Sequence, residues 1–252
     1  MDELLDRVRR SAAPLGLNLI AAIPVARYDQ PTRTSMRADT IDRNARSIIL
    51  LANGGGDFWR AFKSHTIAHP GWDERANPLD DFTRTIVESR VLPAASNATP
   101  VYPFVADGPT LNFMELGKLA GLAGPSLLGV VVNPVYGPWL AFRAALLVAD
   151  EIDQPGAAAG FDPCPTCVSR GCINACPTGA VTYPAGWDIP GCLTYRVETQ
   201  MKCAPRCHAR AACVIGPEHR YPDDELEYHQ MRALRAMRPY YEQHIRPGRS
   251  QR

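Results

Sequence analysis

All eight cysteines of this 252-residue chain fall between positions 164 and 213, and the long stretch before them has none. Residues 164–177 read CPTCVSRGCINACP, with two residues between Cys164 and Cys167, four between Cys167 and Cys172, three between Cys172 and Cys176, and Pro177 following. Cys192, Cys203, Cys207 and Cys213 complete the set. Thiolates are the soft, charged ligands that iron-sulfur clusters require, and short gaps let one tight loop reach several irons. Eight thiols suffice for two four-thiolate sites, so two 4Fe-4S clusters are expected. Three other uses stay open. Paired thiolates at these gaps also suit structural zinc in the first run. A disulfide framework belongs to small secreted domains, which a long cysteine-free first part argues against. The wide gaps from 203 to 207 and from 207 to 213 also allow a degenerate second site.

The rest of the composition sets bounds. A hydrophobic content of 46% is ample for a core. A net charge of +1 gives no electrostatic footprint for nucleic acid or an anionic membrane, so neither is expected as a partner. No apolar run approaches the roughly 18 residues that span a bilayer. Arg9-Arg10 ahead of the apolar stretch 15–26 raises a twin-arginine export signal. The acidic start and Pro24 favour instead a helix over 2–13 and a strand over 17–23, which implies a cytoplasmic protein with reduced thiols.

Helical and strand-like patterns alternate along the first part, so an α/β (α+β) layer architecture is expected. SIILLA at 47–52 reads as a buried strand ending in the turn Asn53-Gly54-Gly55-Gly56, which lacks the lysine and spacing of a phosphate loop. Asn77-Pro78 starts a helix over 78–92, a loop covers 93–100 and a strand 101–105. A helix over 110–122 leads to LLGVVVN at 127–133, and the turn 134–137 returns it as a strand over 139–148, a hairpin. Residues 151–162 read as a linker, and Pro222 with Asp223, Asp224 and Glu225 as a helix start. The expected domains are 1–150 for a cofactor-binding α/β domain, 160–216 for the cysteine segment, and 217–252 for a C-terminal helix and tail.

The run 164–177 resembles a bacterial-ferredoxin motif. That resemblance implies crossed ligation, in which Cys164, Cys167 and Cys172 share a cluster with a distant cysteine, assigned to Cys213, and Cys176 joins Cys192, Cys203 and Cys207. With CPTGAV after the run and Cys192-Leu193-Thr194-Tyr195 downstream, the segment is similar to the ferredoxin-like part of epoxyqueuosine reductases and reductive dehalogenases. Those are corrinoid-dependent iron-sulfur enzymes on a nitroreductase-like scaffold. The stretch GVVVNPVYGPWLAFRAALLV at 129–148 resembles instead the cobalamin-processing chaperones of the cblC type, through Gly129, Pro134, Gly137, Trp139, Ala141 and Arg143. Asn133 stands where that family has histidine, and Pro217 to Tyr221 with Glu225 and Tyr228 is a weaker echo. The resemblances imply a nitroreductase-like sheet with flanking helices plus a small two-cluster segment. They further imply cobalamin or a flavin as an additional cofactor, and a fold class in which homodimers occur.

Val105-Ala106-Asp107-Gly108-Pro109 is similar to the reductase pattern that carries a proton-donating aspartate, which makes Asp107 the candidate general acid; an N-cap role for the following helix is the alternative. Asn133, Tyr136, Trp139 and Arg143 are the candidate cofactor contacts. A buried Arg143 requires a partner, either an anionic ligand group or an internal carboxylate. Trp139 and Tyr136 supply either a flat wall for a macrocycle or core packing. His65 and His69, four apart, offer a metal pair that lacks an acidic third ligand. The function expected is an iron-sulfur oxidoreductase or electron-transfer protein serving a small-molecule cofactor or substrate and a redox partner protein. A non-catalytic binding module and a flavin-dependent reductase are the alternatives.

Overall fold

A computed structural model of the chain describes residues 3–105, 108–199 and 202–246. It divides into two compact units: residues 1–124 with 140–161, and residues 125–139 with 162–252.

The first unit is built on an antiparallel sheet in the order β1-β2-β4-β3. Helix α1 (Glu3–Ala12) is amphipathic, with Leu4, Leu5, Val8 and Ala12 on its buried face. Strand β1 (Leu19–Pro24) follows, then the short helices α2 (Val25–Asp29) and α3 (Ala38–Ile41). Asp29 ties these two together, its carboxylate accepting from the backbone N–H of Ala38 at 2.7 Å and of Asp39 at 3.0 Å. Strand β2 (Ser47–Gly54) is buried at all eight positions. That explains its unbroken apolar run: it lies between β1 and β4 with both faces covered, so no position is left for a polar side chain on a wet face. Beyond it come α4 (Asp57–Ala68), α5 (Pro78–Ile86) with a π turn at Val87–Val91, edge strand β3 (Thr99–Val101), α6 (Phe113–Leu119) and β4 (Leu140–Val148). Ile48, Leu50 and Ala52 of β2 and Ala145 and Leu147 of β4 share one core with Phe113 and Leu116 of α6. Gly16 turns the chain between α1 and β1 at φ +80°, and a Cβ there would stand 2.4 Å from the backbone nitrogen of Phe58.

Three expectations about this unit need correcting. The hairpin of 127–133 with 139–148 does not form: β4 pairs instead with β2 along its length and with the short β3 at 145–147. The expected strand over 101–105 begins two residues earlier and ends at Val101. The stretch 151–162 is not a loose linker: Ala22 and Gln154 exchange both backbone hydrogen bonds, at 3.0 and 2.9 Å, and Gly156 lies so near Gly121 that a Cβ would meet its carbonyl oxygen at 2.5 Å. That stretch therefore closes the first unit.

In the second unit, residues 125–139 stand with the cysteine segment, and so does the C-terminal helix, which differs from the three expected ranges. The reason is steric and local. Gly129 is at φ +72° with the Trp187 ring where a Cβ would be, 2.1 Å away, and Gly137 lies equally close to the carbonyl of Ile215, at 1.9 Å. The elements are α7 (Gly171–Asn174), the hairpin β5 (Val181–Thr182) and β6 (Gly186–Trp187), α8 (Ile189–Thr199), α9 (His208–Ala211) and α10 (Asp223–Tyr240). Leu193 and Val197 of α8 pack on Leu234 of α10 and on Tyr241. A small core of Leu127, Val181 and Ala209 underlies Cys164, Cys172, Cys176 and Cys207.

Leu50→Ala is expected to lower unfolding free energy by about 2–5 kcal/mol, since it opens a cavity in the central strand. Denaturant titration checks this, and a loss below 1 kcal/mol would contradict the packing described.

Candidate functional site

The eight cysteines are free thiols, all partly exposed, and they fall into two sets of four. Cys164, Cys167, Cys172 and Cys213 line one cavity of about 40 Å³. Cys176, Cys192, Cys203 and Cys207 line another of about 180 Å³. The division cuts across the sequence: α7 and its flanks send Cys172 to the first cavity and Cys176, four residues on, to the second. A glycine is needed just before Cys172, because a Cβ at Gly171 would meet the Ala212 carbonyl oxygen at 2.5 Å. Arg170, in the left-handed region at φ 49°, donates from Nη1 to the Cys164 carbonyl at 2.7 Å and from Nη2 to that of Pro165 at 3.2 Å, and its guanidinium lies 3.9 Å from the Tyr183 ring centroid. It thereby holds the first loop closed.

Electrostatics within the sets follow from burial and like charge. Burial, reinforced by the neighbouring charges of Cys164 and Cys213, pushes the Cys172 thiol up. Burial does the same to Cys213, against backbone donors of Ile215 and Val214. In the second set burial raises Cys192 despite a hydrogen bond from the Trp187 side chain and the nearby charge of Arg196. Burial and then the charge of Cys207 push Cys203 up to about 11. Cys176 goes the other way: burial opposes its thiolate, but the Thr178 hydroxyl and the backbone N–H groups of Thr178, Ala180 and Val181 outweigh it, and its pKa falls. Without added positive charge, four thiolates in either cavity repel one another, and iron cations remove that penalty.

Among the described residues, no three His, Cys, Asp or Glu side chains converge closely enough to hold one metal ion. Structural zinc needs four thiolate sulfurs at about 2.3 Å from a single point. The wider placement around a cavity suits a polynuclear cluster, whose irons each take one thiolate.

Of the other candidates, Asp107 lies outside the described residues. Asn133 folds back on its own turn, its side-chain oxygen accepting from the N–H of Val135 at 2.8 Å and of Tyr136 at 2.9 Å. Tyr136 sits against His219 with ring centroids 4.6 Å apart. Trp139 has no exposed surface; it meets Tyr221 edge-on at 5.6 Å and carries the Arg210 guanidinium 4.7 Å above its ring. It packs in a small core with Tyr221 and Leu226, the second of the two uses its sequence left open. Arg143 is buried in β4, in the first unit, and its Nε donates to Asn53 Oδ1 at 2.6 Å while its guanidinium stands 4.4 Å from the Phe58 ring. Asn53 and the Phe58 ring are thus two of its neighbours. His65 and His69 stack at 4.0 Å beside Trp72, and among the described residues no third ligand joins them.

Sequence reasoning passed over Trp187, Arg196, His208 and Arg210, all of which line the second cavity. A signal was present for Arg196 alone: it follows Cys192 by four residues in a helix, hence on one face. Glu225, read as part of a helix start, is 1% exposed and lies 3.7 Å from His229.

Two measurements check this description. Arg143→Ala is expected to lower stability by about 1–3 kcal/mol, because the buried Asn53 oxygen loses its donor; an unchanged melting temperature would contradict it. In metal-free protein at pH 8, the lowered Cys176 thiol holds more thiolate than the raised Cys203, so Cys176 is alkylated faster and raising the pH accelerates Cys203 more. Mass spectrometry of timed alkylation reads both rates, and equal rates would refute the assignment.

No family model matches the chain. Among curated proteins, it is similar to epoxyqueuosine reductase of Shewanella oneidensis, 28% identical over 109 residues, which is 43% of this chain and 26% of that protein. The matched part thus spans about a quarter of the relative's length. Among solved structures, the C. elegans B12-trafficking protein CblC, a human MMACHC homologue, superposes with a TM-score of 0.57 at 14% identity, covering 90% of this chain and 91% of that one. Epoxyqueuosine reductase from Streptococcus thermophilus does so at 0.51 and 13%, covering 86% of this chain and 67% of that one. An epoxyqueuosine reductase solved with a tRNA-Tyr epoxyqueuosine-modified stem loop gives 0.49 at 14% identity, covering 88% of this chain and 68% of that one. The chain therefore has the mixed α and β fold of epoxyqueuosine reductase and CblC.

Proposed function

We propose that this chain is an iron-sulfur redox protein holding two 4Fe-4S clusters, and that it passes electrons to a small-molecule acceptor as a reductase. The observation that carries this reading is the division of all eight thiols into two sets of four, each around its own cavity. Cys164, Cys167, Cys172 and Cys213 hold the first cluster; Cys176, Cys192, Cys203 and Cys207 hold the second. When bound, each cluster supplies a one-electron store. The chain's own residues fix the thiols: Arg170 closes the first loop, and Thr178 and the following backbone N–H groups favour the thiolate of Cys176. The similarity to a reductase supports the redox role, and the abundance of free thiols supports a reducing compartment, the cytoplasm. Among the described residues no helix is long and apolar enough to cross a membrane.

The acceptor is less constrained. Fold likeness to a B12-trafficking protein makes a corrinoid the first candidate, with flavin the second. The earlier exclusion of nucleic acid is withdrawn. A net charge of +1 is an average over the chain, and α10 alone carries Arg232, Arg235 and Arg238, so local binding by phosphate contacts stays available.

Anaerobically reconstituted protein is expected to take up about eight irons and an equal amount of sulfide per chain. Cys172→Ala should remove the iron of one cluster and Cys176→Ala that of the other, the pair of changes removing both. Stoichiometric zinc without iron would sink the reading. Anaerobic titration with cobalamin, then with flavin, identifies the acceptor from the cobalt or flavin absorption band that shifts.

A further inference from the structure

The two four-thiol cavities differ in what their arginines do. At the first, Arg170 directs both Nη groups to backbone carbonyls, of Cys164 and Pro165, and lays its plane on Tyr183. At the second, Arg196 is 8% exposed, and its Nη2 donates to the Gln230 carbonyl at 2.7 Å. Its Nε is buried without a hydrogen-bond partner. Arg196 follows Cys192 by four residues on α8, so the two side chains share a helix face, and both line the second cavity. The other nitrogen-bearing side chains His208 and Arg210 of that cavity meet backbone: His208 the Lys202 carbonyl at 2.7 Å, and Arg210 donates to that of Pro138 at 3.1 and 2.5 Å. A buried N–H with no acceptor is expensive, and sulfur of an occupied cluster site is the acceptor chemistry this cavity is built around.

Resting on the two-cluster reading above, we propose that Arg196 donates from Nε to a sulfur of the second cluster and sets its reduction potential above that of the first. Accepting one electron adds one negative charge to the cluster, with no bond made or broken. A permanent positive charge in the same desolvated cavity stabilises that reduced form, and burial spares the attraction from screening by salt. Hydrogen bonds to the sulfurs and local charge are recognised determinants of cluster potential. Among the described residues no buried, partnerless arginine N–H lines the first cavity, so an electron shared between the two resides on the second, the one held by Cys176, Cys192, Cys203 and Cys207.

The experiment is an anaerobic redox titration of the reconstituted full chain, followed by electron paramagnetic resonance. Two reduction waves are expected, and Cys192→Ser, which alters a ligand of the second cluster alone, identifies its wave as the higher one. Arg196→Gln should move that wave to lower potential by 59 mV or more, a tenfold change in the ratio of reduced to oxidised cluster, and leave the other in place. Arg196→Lys, which keeps the charge and loses the Nε–H, should move the same wave in the same direction by less. Arg170→Gln should leave the second wave unmoved. Glutamine and lysine variants with full iron and an unshifted second wave would overturn the proposal while the cluster reading stands. If the glutamine variant does not fold, the lysine variant decides alone, and an unmoved wave overturns it. Parent protein that takes up neither iron nor sulfide would instead defeat the cluster reading itself.

Discussion

Four thiolates drawn into one cavity repel each other and lose hydration, and the architecture of the second unit follows from meeting that constraint twice within a short segment. Apart from α8, which carries Cys192, the cysteines are organised by turns, the four-residue helices α7 and α9 and a two-residue-per-strand hairpin, with the Leu127, Val181 and Ala209 core beneath them. Small elements of this kind are weak alone, so thiol ligation by a cluster would supply much of the stability that packing does not.

The crossed arrangement follows from the same constraint. Had Cys164, Cys167, Cys172 and Cys176 formed one set, the first run would be a self-contained loop. Instead α7 separates Cys172 from Cys176, and the second run returns Cys213 to the first cavity. Each set is therefore completed only when the segment from Cys192 to Cys213 has packed, which couples the two sites through the backbone between them. The first unit is organised differently, by a fully buried β2 flanked by β1 and β4, and its buried Arg143 donates to Asn53 and stands against the Phe58 ring.

The resemblance at 129–148 illustrates how a motif can be legible while its use is not. Its residues are real matches by type, yet the first part of the stretch belongs to the second unit and the strand that follows belongs to the first. Trp139 packs in a small core with Tyr221 and Leu226, and Asn133 caps its own turn. Aromatic and polar residues of this sort satisfy either a ligand or their neighbours equally well in sequence, and only the neighbours decide.

The sequence by itself determined the class of chemistry and the burial of β2. Cysteine spacing restricts ligand type, and an uninterrupted run of Ile, Leu and Ala has no face to offer water. It also placed α1 and α10, because helical periodicity and an acidic first turn are local signals. Tertiary structure alone decided which strand pairs with which: the apolar stretch 127–133 has the composition of a strand, but β4 takes β2 and β3 as its partners. It alone decided the partner of Arg143 and the burial of Glu225, since a side chain's surroundings come from residues far away in sequence. The sorting of eight thiols into two cavities shows both sources at once: spacing made two sets conceivable, and the packing of α7, α8 and α9 fixed which thiol faces which cavity.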